Sequence, residues 1–260
     1  MLREATELLG RPIDARDGRL GLIEDLYFDD RDWTVRYALV KAGIPFRREH
    51  LLIEPGAIAR SGWSSEHLEV WLSRREARGR IAIDAPEPPR GAQFVHRTDA
   101  ALAGAHVDLL ESARLIVPGG AHLRGIREAH TYHLSAKEGA AGHVRDFIID
   151  DRTWNICHVA ADADLFFSKK PILIPPHLID EIDPAGRTVR VGLTRHALGG
   201  APRYQRLALQ SRLYQMCLYD YYATATGAPL MRPARTDRRP RIDPHARTVD
   251  ARMLLSTIMD

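Results

Sequence analysis

The sequence is poor in the residues that build redox, metal and secreted frameworks. Only two of its 260 residues are cysteines, Cys157 and Cys217, and they form neither a CxxC pair nor a metal-ligand spacing. A disulfide scaffold is thereby excluded and a reducing compartment, the cytoplasm, is indicated. No stretch approaches the ~20 consecutive apolar residues that cross a bilayer, so any association with the inner membrane is expected to be peripheral. The opening residues, Met1-Leu2-Arg3-Glu4-Ala5-Thr6-Glu7, do not run from a basic to an apolar segment, and no signal peptide is expected. There is no GxSxG elbow, Walker loop, dinucleotide GxGxxG or HExxH motif. Charge of one sign is also scarce: 37 basic against 34 acidic residues give +3, far from the concentrated footprint of a dedicated nucleic-acid binder.

What the sequence does contain is one stretch twice. Asp17-Gly18-Arg19-Leu20-Gly21-Leu22-Ile23-Glu24-Asp25-Leu26-Tyr27-Phe28-Asp29-Asp30-Arg31-Asp32-Trp33 returns, from Glu138 to Trp154, at a constant offset of 121 residues (18 to 139, 33 to 154). Without a gap, the same offset pairs Leu52-Ile53-Glu54-Pro55 with Leu173-Ile174-Pro175-Pro176. It also pairs Val70 to Arg74 with Val191 to Arg195. A duplicated unit of about 80 residues accounts for the chain, long enough for a small core in each copy.

Within each copy the apolar runs are short and separated by Gly, Asp and Pro, the spacing of an all-β barrel or sandwich. Asp17-Gly18 and Glu138-Gly139 supply the positive-φ residue of a tight hairpin. Past Gly21 and Gly142 the strand changes parity, because Ile23 and Leu26, like Val144 and Phe147, are apolar at odd separation. A β-bulge at Asp25 and Asp146 would turn both sets inward. These aspartates then have two readings, a carboxylate accepting backbone N–H groups freed by the bulge or an acid of an active site; no His, nucleophile or second carboxylate repeats beside them, which favours the first. Asp29-Asp30 and Asp150-Asp151 read as the next turn rather than as a cation site, which needs more oxygen ligands. Trp33 and Trp154 open the following strand as core anchors, with ligand stacking the alternative. Gly18, Gly21, Asp25, Asp29, Asp30, Trp33 and their counterparts Gly139, Gly142, Asp146, Asp150, Asp151, Trp154 thus form a structural core. Of the 12 histidines, His130 and His133 lie closest together, yet no acid or cysteine joins them at ligand spacing.

Four segments divide the rest. Residues 1–82 and 123–200 are the repeats. Residues 83–122 are a Pro- and Gly-bounded linker in which Thr98 starts a short helix with Leu102, Val107 and Leu110 on one face. Residues 201–226 read as a C-terminal helix: Arg203 to Tyr222 lacks Gly and Pro, with Leu207, Tyr214, Leu218 and Tyr221 on one stripe that Leu213, Met216 and Cys217 widen. That stripe packs on a barrel or meets a partner, and Tyr214, Leu218 and Tyr221, with Phe166 and Phe167, are the interface candidates. Residues 227–260 form a polar tail bearing Arg232, Arg235, Arg238, Arg239, Arg241 and Arg247, which are expected to be mobile and offer cations to RNA or an anionic surface.

The paired pattern Gly-x-x-Gly-x-[Ile/Val]-x-Asp, then Asp-Asp, an aromatic and Leu-Ile-x-Pro, resembles the PRC-barrel family. That small β-barrel occurs in the cytoplasmic domain of the photosynthetic reaction-centre H subunit and in a bacterial ribosome-maturation factor. Here the pattern is Gly18, Gly21, Ile23, Asp25, Asp29, Asp30, Trp33 and Leu52 to Pro55, and again Gly139, Gly142, Val144, Asp146, Asp150, Asp151, Trp154 and Leu173 to Pro176. Leu123-Arg124, Leu193-Thr194-Arg195 and Leu218-Tyr219-Asp220-Tyr221-Tyr222 are similar to bacterial tandem PRC-barrel proteins, so the likeness covers about residues 2–80 and 123–222. Thr131 departs from it, standing where the first copy has Gly10. The resemblance implies two barrels of five or six strands each, without catalytic residues, cofactor or metal. It implies a scaffold or adaptor that binds another protein, as a homodimer or in a membrane-associated photosynthetic or electron-transport assembly. A ribosome- or RNA-associated factor is the alternative it leaves open.

Overall fold

The computed structural model describes residues 1–43, 49–59, 67–79, 81–83, 110, 113–114, 120–165 and 168–227. The first strand, β1 (Leu2–Glu4), leads through a 3-10 turn (Ala5–Glu7) into the antiparallel strands β2 (Pro12–Ala15), β3 (Gly18–Asp29), β4 (Thr34–Ala42) and β5 (Glu49–Ile53). Short strands β6 (Leu68–Glu69) and β7 (Ile81–Ile83) follow, separated by helix α1 (Arg74–Arg78). The second copy repeats this plan. It comprises β8 (Leu123–Gly125), helix α2 (Ile126–Ala129), β9 (His133–Ala136), β10 (Gly139–Asp150), β11 (Ile156–Leu165), β12 (Ser168–Ile174), β13 (Ile179–Asp183), β14 (Thr188–Val191) and helix α3 (Arg195–Gly200). Helix α4 (Arg212–Thr226) closes the described chain.

The chain is all-β with a few helices, in two seven-stranded sheets ordered β6-β2-β3-β4-β5-β7 and β12-β11-β10-β9-β14-β13. The hydrogen-bonded paths are open: no bond among the described residues closes either sheet into a barrel. Each sheet has more strands than the five or six expected, because each takes one strand from the other copy. β1 pairs antiparallel with β10, and its counterpart β8 pairs antiparallel with β3. The registers match under the repeat offset, Leu2 opposite Asp150 and Leu123 opposite Asp29.

The core follows from this exchange and does not divide at the linker. One continuous apolar cluster takes Ile23, Leu26 and Phe28 from the first copy and Val144, Phe147 and Ile149 from the second. Phe28 meets Phe147 at 5.3 Å between ring centroids and stacks on Trp33 at 5.7 Å. Such aromatic pairs contribute about 0.5–1.5 kcal/mol beyond their buried area. A second, smaller cluster packs Tyr27, Leu39 and Leu52 against Leu110 and Ala113, two helical residues of the 83–122 segment. The first sheet is thus covered on both faces, which is why Leu51-Leu52-Ile53 is apolar without alternation.

The bulges fall where strand parity changes. Register shifts lie between Ile23 and Asp25 opposite β4 and between Val144 and Asp146 opposite β11. Gly18 and Gly139 turn with φ of 123° and 112°. Gly21 and Gly142 serve close approach instead: a Cβ would lie 2.2 Å from the Lys41 carbonyl oxygen or 2.0 Å from that of Asp162.

The C-terminal helix differs from its expected span. Residues 201–211 are irregular apart from a 3-10 turn (Arg206–Ala208), and α4 starts at Arg212, where Ser211 Oγ accepts from the Tyr214 N–H. Tertiary bonds hold the earlier residues extended: Tyr204 donates its N–H to Pro171 O at 2.7 Å and its hydroxyl to Glu4 Oε1 at 2.8 Å. Gly227 ends the helix in the left-handed region at φ 67°. No helix among the described residues is long and apolar enough to cross a membrane.

Candidate functional site

The residues singled out by the repeat converge on the junction between the copies, where they hold each other's N-terminal elements. Asp25 Oδ1 accepts from Leu26 N–H at 2.8 Å and, across the junction, from Arg127 N–H at 3.1 Å. Asp146 Oδ1 accepts from Phe147 N–H at 2.7 Å and from Thr6 N–H at 3.2 Å, and its Oδ2 accepts from the Thr6 hydroxyl. Each aspartate therefore caps the first turn of the other copy's short helix. Burial pushes the Asp25 carboxyl up to about 7 against the pull of these N–H donors, and it also raises Asp146.

The second acidic turn is reciprocal as well. Asp30 accepts Arg124 at 2.6 Å, as Asp151 accepts Arg3 at 3.4 Å. Asp29 is clamped by Arg31, which holds its carboxyl down at about 2. Trp33 and Trp154 do not open the strand as extended residues. They end the turn in the left-handed region, at φ 58° and 61°, each donating its N–H to the aspartate four residues back. Their carbonyls then bridge the copies: Val35 N–H donates to Trp154 O at 2.9 Å and Ile156 N–H to Trp33 O at 2.7 Å.

The histidines show little that is free to react. His130 and His133 are exposed, and among the described residues no group of His, Cys, Asp and Glu could hold a metal ion. His50 meets Glu24 at 2.8 Å, a pairing that sequence separation concealed. Its Nδ1 is buried without a hydrogen-bond partner, so the ring presents no nitrogen to a substrate. His158 is half-buried, and its partial burial lowers it to about 4, with the charge of His177 adding to the effect. Burial raises the Cys157 thiol to about 11, so it stays protonated and is a poor nucleophile.

Of the interface candidates, Leu218 is buried, and Tyr221 is half-buried, donating to Ala197 O at 2.5 Å. Tyr222 is buried beside them and donates to Leu173 O at 2.7 Å. Tyr214 is half-buried, with its hydroxyl oxygen buried and without a hydrogen-bond partner. This stripe packs largely against the second sheet. The rest of the expected stripe does not pack: Leu207, which lies in the 3-10 turn before the helix, is 98%, Leu213 71% and Met216 49% exposed, and Cys217 is exposed as well. Phe166, Phe167 and Arg232, Arg235, Arg238, Arg239, Arg241 and Arg247 lie outside the described residues.

One cavity of about 480 Å³ opens at the same junction. Arg36, Tyr37, Glu54 and Gly56 of the first copy and Arg152 and Trp154 of the second line it. Sequence reading missed it because its two walls come from segments about 100 residues apart that only the strand exchange brings together.

The chain matches no protein-family model, and no curated protein matches it.

Proposed function

We propose that the protein is a non-catalytic scaffold or adaptor built on two PRC-type barrel units, which binds another protein in the cytoplasm or at the inner face of a membrane-associated assembly. The observation that carries this reading is the exposure of Leu207, Leu213 and Met216 on the C-terminal segment. They are left to solvent on a segment whose inner side already packs on the second sheet. Large apolar side chains left to solvent on one segment suit a protein interaction site, and methionine suits an adaptable one. The buried ionisable groups of the repeat core support the same reading, since Asp25 and Asp146 are occupied with backbone N–H groups.

The test is retention of a protein partner, or formation of a discrete homodimer, by wild type and by a Leu213→Ser/Met216→Ser variant of unchanged circular dichroism. Salt-resistant association that the double substitution abolishes supports the reading. A strict monomer that retains no protein overturns it. Nuclease-sensitive material lost at moderate salt and on deletion of residues 231–260 would instead assign the chain to the RNA-associated reading carried by the tail arginines.

A further inference from the structure

The duplication supplies its own reference for the junction cavity. Arg152 corresponds to Arg31, Gly56 to His177 and Tyr37 to His158 under the repeat offset. Arg31 is neutralised: its guanidinium donates to both oxygens of Asp29, at 3.0 and 2.7 Å. Arg152 has no such clamp. Its backbone N–H donates to Asp150 Oδ1 at 3.0 Å, no carboxylate among the described residues forms an ion pair with it, and the exposed residue lines the cavity.

The lining differs in the same sense at Gly56, which is exposed. A Cβ built on Gly56 meets nothing within 4 Å, whereas the second copy carries an imidazole there, close enough to His158 to oppose its protonation. Tyr37 lines the cavity too, and burial and the charge of Glu54 keep its hydroxyl protonated as a donor. Tyr37 and Pro55 give the cavity a half-buried apolar wall.

Donors and charge select the ligand. An uncompensated guanidinium beside a hydroxyl suits a carboxylate, which it can grip through two parallel bonds. Glu54 in the same wall opposes a second negative charge. The apolar wall favours a ligand with a ring or short hydrocarbon body.

We propose that this cavity binds a small organic monocarboxylate, its carboxylate held by Arg152 and its apolar body lying on Tyr37 and Pro55 over Gly56. The site is independent of the adaptor reading, whose surface lies on the C-terminal segment.

Benzoate is the probe, titrated into the full chain at neutral pH and followed by ligand-observed NMR, with phenyl phosphate as the dianionic comparison. Wild type should bind benzoate saturably and more tightly than phenyl phosphate. Arg152→Gln should weaken benzoate at least tenfold, equivalent to about 1.4 kcal/mol. Gly56→His, which copies the second repeat into open space, should abolish binding while leaving the circular dichroism unchanged. Arg75→Gln, which removes an exposed arginine elsewhere, should change nothing. Absence of saturable binding, tighter binding of phenyl phosphate, binding that survives Gly56→His, or an equal loss in Arg75→Gln would each overturn the proposal.

Discussion

The carboxylate of Asp25 accepts the backbone N–H of Arg127 at 3.1 Å, and the repeat offset turns that bond into its mirror, Asp146 accepting Thr6 at 3.2 Å. One pair of residues thus states the architecture: each copy is completed by the other's N-terminal strand and turn. The duplication has made a pseudo-symmetric pair within one polypeptide.

Removing the acceptor should cost more than removing the charge. Asp25→Ala leaves the N–H groups of Leu26 and Arg127 without their partner, and buried unsatisfied donors cost about 1–3 kcal/mol each. Asp25→Asn keeps an acceptor oxygen and should lose well under half as much. Urea unfolding at pH 7 measures both, and an alanine variant as stable as wild type would remove the capping role.

Two groups, the half-buried His158 and the buried Asp25, should give stability opposing slopes with pH. His158 has a folded pKa of about 4, below its ordinary value of 6.5, so the unfolded chain takes the proton first. Stability from this group is present above pH 6.5 and lost as pH falls toward 4. At pH 5 the loss is about 2 kcal/mol, and His158→Phe should recover it. Asp25 is raised from 3.8 to about 7, so the folded state holds its proton longer and stability declines as pH rises through that window. Asp25→Asn should flatten that decline. Thermal melts from pH 4 to 8 on both variants separate the two slopes, and parallel profiles for wild type and variants would refute the assignment.

Splitting the chain should not separate its halves. Residues 1–86 and 87–260, coexpressed as two polypeptides, should copurify, because β1 and β8 sit in each other's sheets and the core is continuous. Size-exclusion chromatography reads the outcome: one peak holding both pieces is expected, and independently folded pieces eluting apart would contradict the exchange.

The glycines should divide by what a methyl group would meet. Gly142→Ala puts a Cβ 2.0 Å from the Asp162 carbonyl oxygen at φ 138°, while Gly56→Ala enters open space. The first should cost about 2–4 kcal/mol by overpacking and backbone strain or prevent folding. The second should leave the melting temperature within a few degrees of wild type. Equal melting temperatures would show that the strand approach at Gly142 is looser than described.

The all-β character, the hairpins at Gly18 and Gly139, the bulges at Asp25 and Asp146 and the packing of Tyr214, Leu218 and Tyr221 were legible in the sequence because each rests on local spacing, whereas Leu207, Leu213, Met216 and Cys217, expected on the same stripe, are exposed. A turn needs its glycine, a bulge shows as a change of apolar parity, and a helix face repeats every three to four residues. The start of α4 was not legible, since the bonds of Tyr204 to Pro171 and Glu4 compete with helix over Arg203 to Ser211.

The sequence by itself determined that there are two copies of one unit and where each copy turns, because duplication is written residue by residue. Only the tertiary structure decided that the copies trade strands, so that Asp25 holds Arg127, Asp146 holds Thr6, and Arg152 and Tyr37 line one cavity. The physical reason is that strand pairing is set by backbone hydrogen bonds, which carry no side-chain signature of which copy supplies the partner. β1 and β8 would satisfy the same N–H and C=O groups in either sheet, so the observed pairing of β1 with β10 and of β8 with β3 is a tertiary fact.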